Sequence, residues 1–341
     1  MSVLITGASG RVGANVVRRL VEAGRQVVAM VPPNDPLRSK LDSVADIEIV
    51  EADLTDQEAI NSAVKGRTAI VHLAAQLNRN ETPVDKFFDI NAFGTLRLLE
   101  AVVRHAPDLE RFVLASTDGT YRPGAPTARP LAETSPLAPA DYYGSSKLLG
   151  EVILQRWADQ YDIPHTVVRF GTILSPEEAV SRFRYEYVRG VLSRAALGRE
   201  SNIWHLFHGH PDMLEIVEAA VPDKEINPAV ALRGPDGTPW TLHLADVRDI
   251  VQGVLLALDH PAALGETFNI AGPHPTGFDE GAAIVAKAFD VPSYTVDVPV
   301  DWHLDMDVSK AQRLLGFAPE FDFARMVADG LKGTSVIPAR V

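Results

Sequence analysis

Residues 141–147 read DYYGSSK, two adjacent tyrosines with a lysine close behind. Asp141 is a suitable cap for a helix starting here. In a helix four residues advance about 400°, so Tyr143 and Lys147 face nearly the same way, whereas Tyr142 points roughly 140° away from Lys147. An ammonium beside a phenol favours the phenolate, so Lys147 is expected to lower the Tyr143 pKa. Such a phenol can exchange a proton with a hydroxyl or a ketone. Upstream, residues 112–121 read FVLASTDGTY and bring the hydroxyls of Ser116 and Thr117 and the carboxylate of Asp118 to the end of an apolar run. The Thr117 hydroxyl could hold the same substrate oxygen. A lone Y-x-x-x-K is equally an ordinary i,i+4 surface pair; the chemical reading gains weight from the order of hydroxyls at a strand end followed by Y-x-x-x-K on the next helix.

A second chemical feature opens the chain. VLITGASGRVG, residues 3–13, sets Gly7, Gly10 and Gly13 between an apolar strand and a helix, the context a dinucleotide fingerprint requires. Gly7 would permit the tight turn, Gly10 the approach of a pyrophosphate, and Gly13 close packing of the helix on the sheet, while the helix N-terminus offers N–H groups to phosphate. Arg11 and Val12 lie in the same turn. The next apolar run ends VVAMVPPNDP, with uncharged Val31 and Pro32 where an acid would hold the ribose hydroxyls of NAD. A 2′-phosphate would meet no repulsion there, and Arg11, Arg38 or Lys40 could neutralise it, so the reading leans slightly to NADP over NAD; Asp35 is a late acidic candidate. Asp53 and Leu54 in EADLTD, and Leu73, Ala74 and Ala75 in VHLAAQ, follow further strand-like runs and would border the cofactor. His72 reads as a packed strand residue.

These groups need a scaffold. Apolar runs at 3–5, 27–31, 47–50, 69–73, 112–115 and 166–170 lack polar alternation and read as buried parallel strands. Between them lie helical patterns; in the first, Val12, Val16, Leu20 and Val21 share a face and Gly24 stops the helix. Repeated β-α-β order predicts an α/β, Rossmann-type doubly wound parallel sheet with a smaller interleaved C-terminal substrate domain. The expected division is 1–174 plus 241–272 for the dinucleotide domain and 175–240 plus 273–331 for the substrate domain.

The 341 residues carry a net charge of −13, and none is cysteine. An acidic surface argues against nucleic acid and anionic membrane as partners, and the missing thiols exclude disulfides and a cysteine nucleophile. No apolar run reaches the ~18 residues of a membrane span. The amino-terminal run shows no signal-peptide pattern, and a cytoplasmic protein with a small-molecule substrate is expected.

The motifs TGASGRVG, EADLTD, VHLAA, NAFGTLRLLEA, LASTDGTY, YGSSK, HLADVRDIV and FNIAG, spanning residues 6–272, resemble those of the extended short-chain dehydrogenases/reductases, in the NAD(P)-dependent epimerase/dehydratase group; SKAQRLLGFAP resembles that family's ending. The resemblance implies Tyr143 as acid/base, Lys147 binding the nicotinamide ribose and tuning Tyr143, Thr117 polarising the substrate oxygen with Ser116 as the less favoured choice, Asn91 near the cofactor or bracing its helix, and a homodimer formed through the helices around 86–105 and 143–161.

Three departures bear on function. Gly119 stands where sugar-nucleotide 4,6-dehydratases carry a second carboxylate, which disfavours dehydration. Pro239 and Trp240 replace an arginine that grips the diphosphate in many epimerases, although Arg233 could compensate. Residues 200–226 resemble an insertion, with His205, His208 and His210 close together; a pocket or loop role is preferred to a metal site. Arg182, Arg184, Arg189 and Arg194 form either a solvated face paired with Glu186 or an anion grip. The expected function is an NAD(P)-dependent oxidoreductase interconverting a secondary alcohol and a ketone on a small polar, carbohydrate-like substrate, without a metal. The alternatives are an epimerase with retained NAD and a non-catalytic cofactor sensor.

Overall fold

The computed structural model describes residues 2–77, 82–124, 129–196, 210, 212–334 and 336. In chain order the first lobe contains β1 (Ser2–Thr6), α1 (Arg11–Glu22), β2 (Gln26–Val31), β3 (Glu48–Glu51), α2 (Gln57–Val64), β4 (Ala69–His72), the short α3 (Val84–Phe87), α4 (Gly94–His105), β5 (Arg111–Thr117), α5 (Tyr142–Tyr161) and β6 (His165–Phe170). A π-type turn, Phe88–Phe93, joins α3 to α4. Then follow β7 (Thr172–Leu174), α6 (Pro176–Ala179), α7 (Tyr185–Ala195), α8 (Met213–Ala220), β8 (Ala229–Arg233), β9 (Thr241–Leu242), β10 (Leu244–Asp246), α9 (Val247–Asp259), β11 (Glu266–Ile270), β12 (Thr276–Gly277), α10 (Phe278–Phe289), β13 (Ser293–Asp297), β14 (His303–Leu304), α11 (Ser309–Leu315) and α12 (Phe323–Leu331).

The main sheet has seven strands in the order β11-β6-β5-β4-β1-β2-β3, every pair parallel. This is the doubly wound Rossmann-type sheet expected from the apolar runs. Strand order reverses between β1 and β4, and such a reversal opens a crevice at the strands' carboxyl ends. One face buries α1, α9 and α11 over Val3, Ile5, Val71 and Phe268; the other buries α2, α4 and α5 over Leu4, Ile70, Phe112 and Leu114. Helix α1 covers the sheet with Val16 and Leu20, and Gly24 ends it at φ +73°.

A third apolar cluster joins α7, α8, β8, α10 and α12. Phe183 is its hub, meeting Phe278 and Phe323 edge-on at 4.9 and 5.0 Å. This lobe connects to the first through β7 and β10, which pair in parallel. The tail then returns to the first lobe: Leu304, Met306, Val308, Ala311, Leu315 and Phe317 share the cluster of β1 and β11. Asn269, at the end of β11, fastens it by donating to Leu131 O at 2.9 Å and Asp307 O at 3.1 Å.

Candidate active site

A cleft of about 710 Å³ lies along the carboxyl ends of the strands. Gly7, Gly10, Arg11, Val12, Gly13, Asp53, Leu54, Leu73, Ala74, Ala75, Thr117, Tyr143 and Lys147 all line it. These are the expected residues with one exception. Asn91 lies in the π-type turn and is buried. Its amide donates to Gln76 O at 3.1 Å and Ser146 Oγ at 2.9 Å, and it accepts from Gln76 N at 2.8 Å. It therefore ties the loop after β4, whose Gln76 lines the cleft, to α5.

The glycine turn is closed by sterics. Gly7 sits at φ +66°, and a Cβ there would come within 2.7 Å of Ala74 N. A Cβ on Gly13 would lie 2.1 Å from Gly7 O. Gly13 thus packs the helix against the turn itself rather than against the sheet, which corrects the expected reason for that glycine. Gly10 caps α1, leaving the first-turn N–H groups directed to the cleft. A cradle that only glycine fits, ending at a helix N-terminus, suits a pyrophosphate. Arg11 lines the same end, but Nη2 donates to Glu178 Oε1 at 2.6 Å and Nη1 to Ile173 O. Glu178 also accepts from Ser175 N at 3.0 Å, capping α6. Asp53 accepts from the N–H and hydroxyl of Thr55, both at 2.8 Å.

Beyond β2, Asp35 lines the cleft together with Val31 and Pro32. Its Oδ1 accepts from Leu37 N at 3.0 Å, while Oδ2 is buried without a hydrogen-bond partner among the described residues. Arg38 pairs outward with Glu51 at 3.4 Å.

At the other end, Asp141 caps α5, accepting from Gly144 N at 2.6 Å. Tyr143 and Lys147 turn inward as the helical spacing requires, and Tyr142 is 40% exposed. Lys147 is 3% exposed; burial lowers its pKa to about 8, opposed by the charge of Glu151. The expected lowering of the Tyr143 pKa is not found. Burial pushes the phenol up, and the carboxylates of Asp118 and Asp141 add to the effect. Both acids face the phenol, a repulsion that the one-dimensional spacing of Tyr143 and Lys147 does not reveal.

Ser116 and Thr117 both reach the cleft, and each hydroxyl is already engaged. Ser116 donates to Glu151 Oε1. Thr117 donates to Asp118 Oδ1 at 3.0 Å and accepts from Gly119 N at 3.1 Å. Glu151 is held by a bidentate Arg169, with contacts of 2.7 and 3.1 Å. Arg169 also donates to Tyr121 Oη at 2.9 Å, and Tyr121 donates to Asn269 Oδ1 at 2.8 Å. His72 is bridged between Thr6 at 2.7 Å and Thr95 at 3.2 Å. Burial, with Lys147 nearby, lowers its pKa to about 3, so it is a neutral packed strand residue, as read from the sequence.

The four arginines on and just before α7 do not converge. Arg182 lies over the Tyr187 ring and Arg184 over Phe289, Arg189 pairs with Glu218, and Arg194 faces Asp141. Glu186 meets Asn227 instead of an arginine. Arg233 pairs with Asp297 at 2.8 Å on the surface. Trp240 is core, stacked on Trp302 at 5.5 Å and donating to Val300 O at 2.7 Å. His205 and His208 lie outside the described residues.

The family model described as "NAD dependent epimerase/dehydratase family" matches residues 3–271. The chain belongs to this family. A dTDP-glucose 4,6-dehydratase of Streptomyces niveus is 28% identical, with the alignment covering 98% of this chain and 91% of that protein. An L-arabinose 1-dehydrogenase (NAD(P)(+)) of Haloferax volcanii is 31% identical over 55% of this chain and 76% of its own length. A short-chain dehydrogenase/reductase superfamily protein from Agrobacterium tumefaciens, solved with bound NAD, superimposes with a TM-score of 0.82 at 28% identity, covering 97% of this chain and 96% of that one.

Proposed function

We propose that this member of the family is an enzyme that oxidises a secondary alcohol of a sugar or sugar nucleotide to the ketone, or reduces it back, with NAD. The observation that carries this reading is the meeting of Thr117, Tyr143 and Lys147 on one wall of the cleft whose other end is the glycine cradle. Gly7, Gly10 and Gly13 would hold the pyrophosphate, with Asp53, Leu54 and Leu73–Ala75 bordering the rest of the dinucleotide. When bound, the cofactor supplies hydride acceptance and donation. Tyr143, whose burial keeps its proton on at neutral pH, is set to give that proton to a carbonyl oxygen. Lys147 carries charge near pH 7 because its pKa of about 8 is still above it. The sequence leaned to NADP because Val31 and Pro32 are uncharged; the buried Oδ2 of Asp35 in the cleft, without a hydrogen-bond partner among the described residues, favours ribose hydroxyls over a 2′-phosphate and so supports NAD. Of the expected substrate side, 175–240 and 273–331, the stretch 304–317 packs in the core of the first lobe instead, so 175–240, 273–298 and 323–331 are proposed for the substrate side.

The test is a screen at the nicotinamide absorbance with NAD and NADP against dTDP-glucose, UDP-glucose, L-arabinose and sugar acids. Substrate-dependent turnover is expected, and Tyr143→Phe should abolish it, by a factor of about 100 or more, without loss of coenzyme binding. Unchanged turnover in that variant would refute the mechanism. A second reading, epimerisation or elimination that returns the coenzyme to its starting state, is favoured by the Asp118 carboxyl inside the cleft and by the dehydratase relative aligned along nearly its whole length. Sugar conversion without net absorbance change would select it.

A further inference from the structure

We propose that Asp118 is a positioning residue that decides which way the Thr117 hydroxyl presents itself: ionised, it draws the hydroxyl proton to itself and leaves Thr117 a lone pair for an alcohol; protonated, it donates to Thr117 and turns the hydroxyl proton toward a carbonyl. The argument is one of valence. A threonine hydroxyl has one proton and two lone pairs. Here one lone pair is taken by Gly119 N–H at 3.1 Å, and the proton goes to Asp118 Oδ1 at 3.0 Å. What remains for the cleft is a single acceptor, suited to an alcohol O–H and unable to polarise a ketone.

The carboxylate can reverse this. Asp118 lines the cleft and is 8% exposed, and its Oδ2 is buried with no partner among the described residues. A proton arriving on Oδ2 would have nothing to bond, whereas a proton on Oδ1 finds the second lone pair of Thr117. Protonation therefore reverses the Thr117–Asp118 bond, and the freed hydroxyl proton turns outward. No covalent bond changes in this step; one solvent proton is taken up by Asp118. Among the described residues, the charged and titratable groups facing Asp118 are Tyr143 of α5 and Asp141, the cap of that helix, with Arg194 of α7 acting on Asp141. Burial raises the Asp118 pKa to about 6 against the opposing hydrogen bonds of Thr117 and Gly119, so both states are within reach near neutral pH.

The proposal rests on the proposed function only in having Thr117 face the substrate oxygen, and its test begins without substrate. Infrared titration of the full chain between about pH 4 and 8 should show a carboxylic C=O band that Asp118→Asn removes. In Thr117→Val the band should titrate about one pH unit higher, because the ionised form loses a charge-assisted hydrogen bond, and Thr117→Ser should restore the parent midpoint. If Thr117→Val fails to fold by circular dichroism, Thr117→Ala serves in its place. A band that titrates identically with and without the Thr117 hydroxyl overturns the proposal, as does the absence of any Asp118-dependent band above the ordinary carboxylate range. With a substrate from the screen, ketone reduction should fall as pH rises through the Asp118 midpoint, and the limb should vanish in both Asp118→Asn and Thr117→Val. A limb that survives in Thr117→Val but not in Asp118→Asn means that Asp118 acts on substrate directly, and the relay is wrong. A blank screen with a shifted infrared band would instead count against the proposed substrates and leave the relay supported.

Discussion

Glu151 offers the sharpest test of how this site is held. It lies one helical turn beyond Lys147 on α5, and its side chain is 9% exposed beside an Arg169 that is 5% exposed. Glu151→Gln keeps the shape and removes the charge, leaving a buried guanidinium uncompensated. Breaking one side of such a pair costs about 3–5 kcal/mol. At about 2.1 cal/mol/K per residue, the unfolding entropy of a chain this long is about 0.7 kcal/mol/K, so the melting temperature should fall by about 4–7 °C. Scanning calorimetry at pH 7 measures it. Replacing both partners by apolar residues, Glu151→Leu with Arg169→Met, should recover more than half of the loss, because the desolvation cost disappears with the charges. The activity profile gives a second readout. The charge of Glu151 holds the Lys147 pKa up against burial, so in Glu151→Gln the loss of activity at alkaline pH should begin at lower pH than in the parent. A melting change below about 1 °C, or a double variant no more stable than Glu151→Gln, would refute the reasoning.

Further outcomes follow from other buried or exposed groups. Asp35→Ser should reduce the preference for NAD over NADP by about tenfold, or 1.4 kcal/mol, measured by coenzyme titration; an unchanged ratio would remove Asp35 from the ribose site. Lys147→Met should melt higher than the parent at pH 6–7, by an amount corresponding to about 3 kcal/mol. A lysine whose folded pKa is depressed to about 8 destabilises the fold wherever it is charged in both states, and that penalty fades as pH rises from about 8 toward the unfolded value; the gap between variant and parent should therefore close at high pH, and a constant gap would argue against it. Phe93, Val103, Leu149 and Val152 are exposed apolar residues on or beside α4 and α5, the helices expected to pair two copies. If they do, Val152→Asp should shift a dimer to monomer in light scattering, and a monomeric parent would dismiss the pairing.

Much of this was legible in one dimension for a physical reason. Buried parallel strands are continuous apolar runs, and a turn whose carbonyl would strike a Cβ admits only glycine, so β1, α1 and Gly7 to Gly13 announce themselves. Tyr143 and Lys147 are legible because helical periodicity alone brings them to one face. What stayed hidden is what distant segments bring together. Burial of Tyr143, with Asp118 and Asp141 from two separate segments adding to it, raises the pKa that Lys147 alone was expected to lower. Arg11 offered a cation to phosphate, but its partner Glu178 lies 167 residues away. Glu151 carried a signal that went unused, since it continues the Tyr143–Lys147 stripe by one more turn of α5. Asp35 belongs to a loop whose return to the cleft no periodicity encodes.

The way the tail rejoins the first lobe has a consequence for biosynthesis. Strand β11 is the edge strand beside β6, and Ala311, Leu315 and Phe317 cover the sheet face that Phe268 and Ile270 present. A nascent chain emerging from the ribosome therefore cannot complete its nucleotide-binding half when that half has been translated; the missing wedge of core arrives only after residue 317, once most of the other lobe has already been made. Until the tail arrives, β11 and its neighbours keep an uncovered apolar face, a feature that invites association with other chains. The protein is thus divided into lobes in space but not in time: a fragment cut at residue 272, although it contains the whole glycine cradle and the Tyr143–Lys147 pair, should be a poor folder on its own.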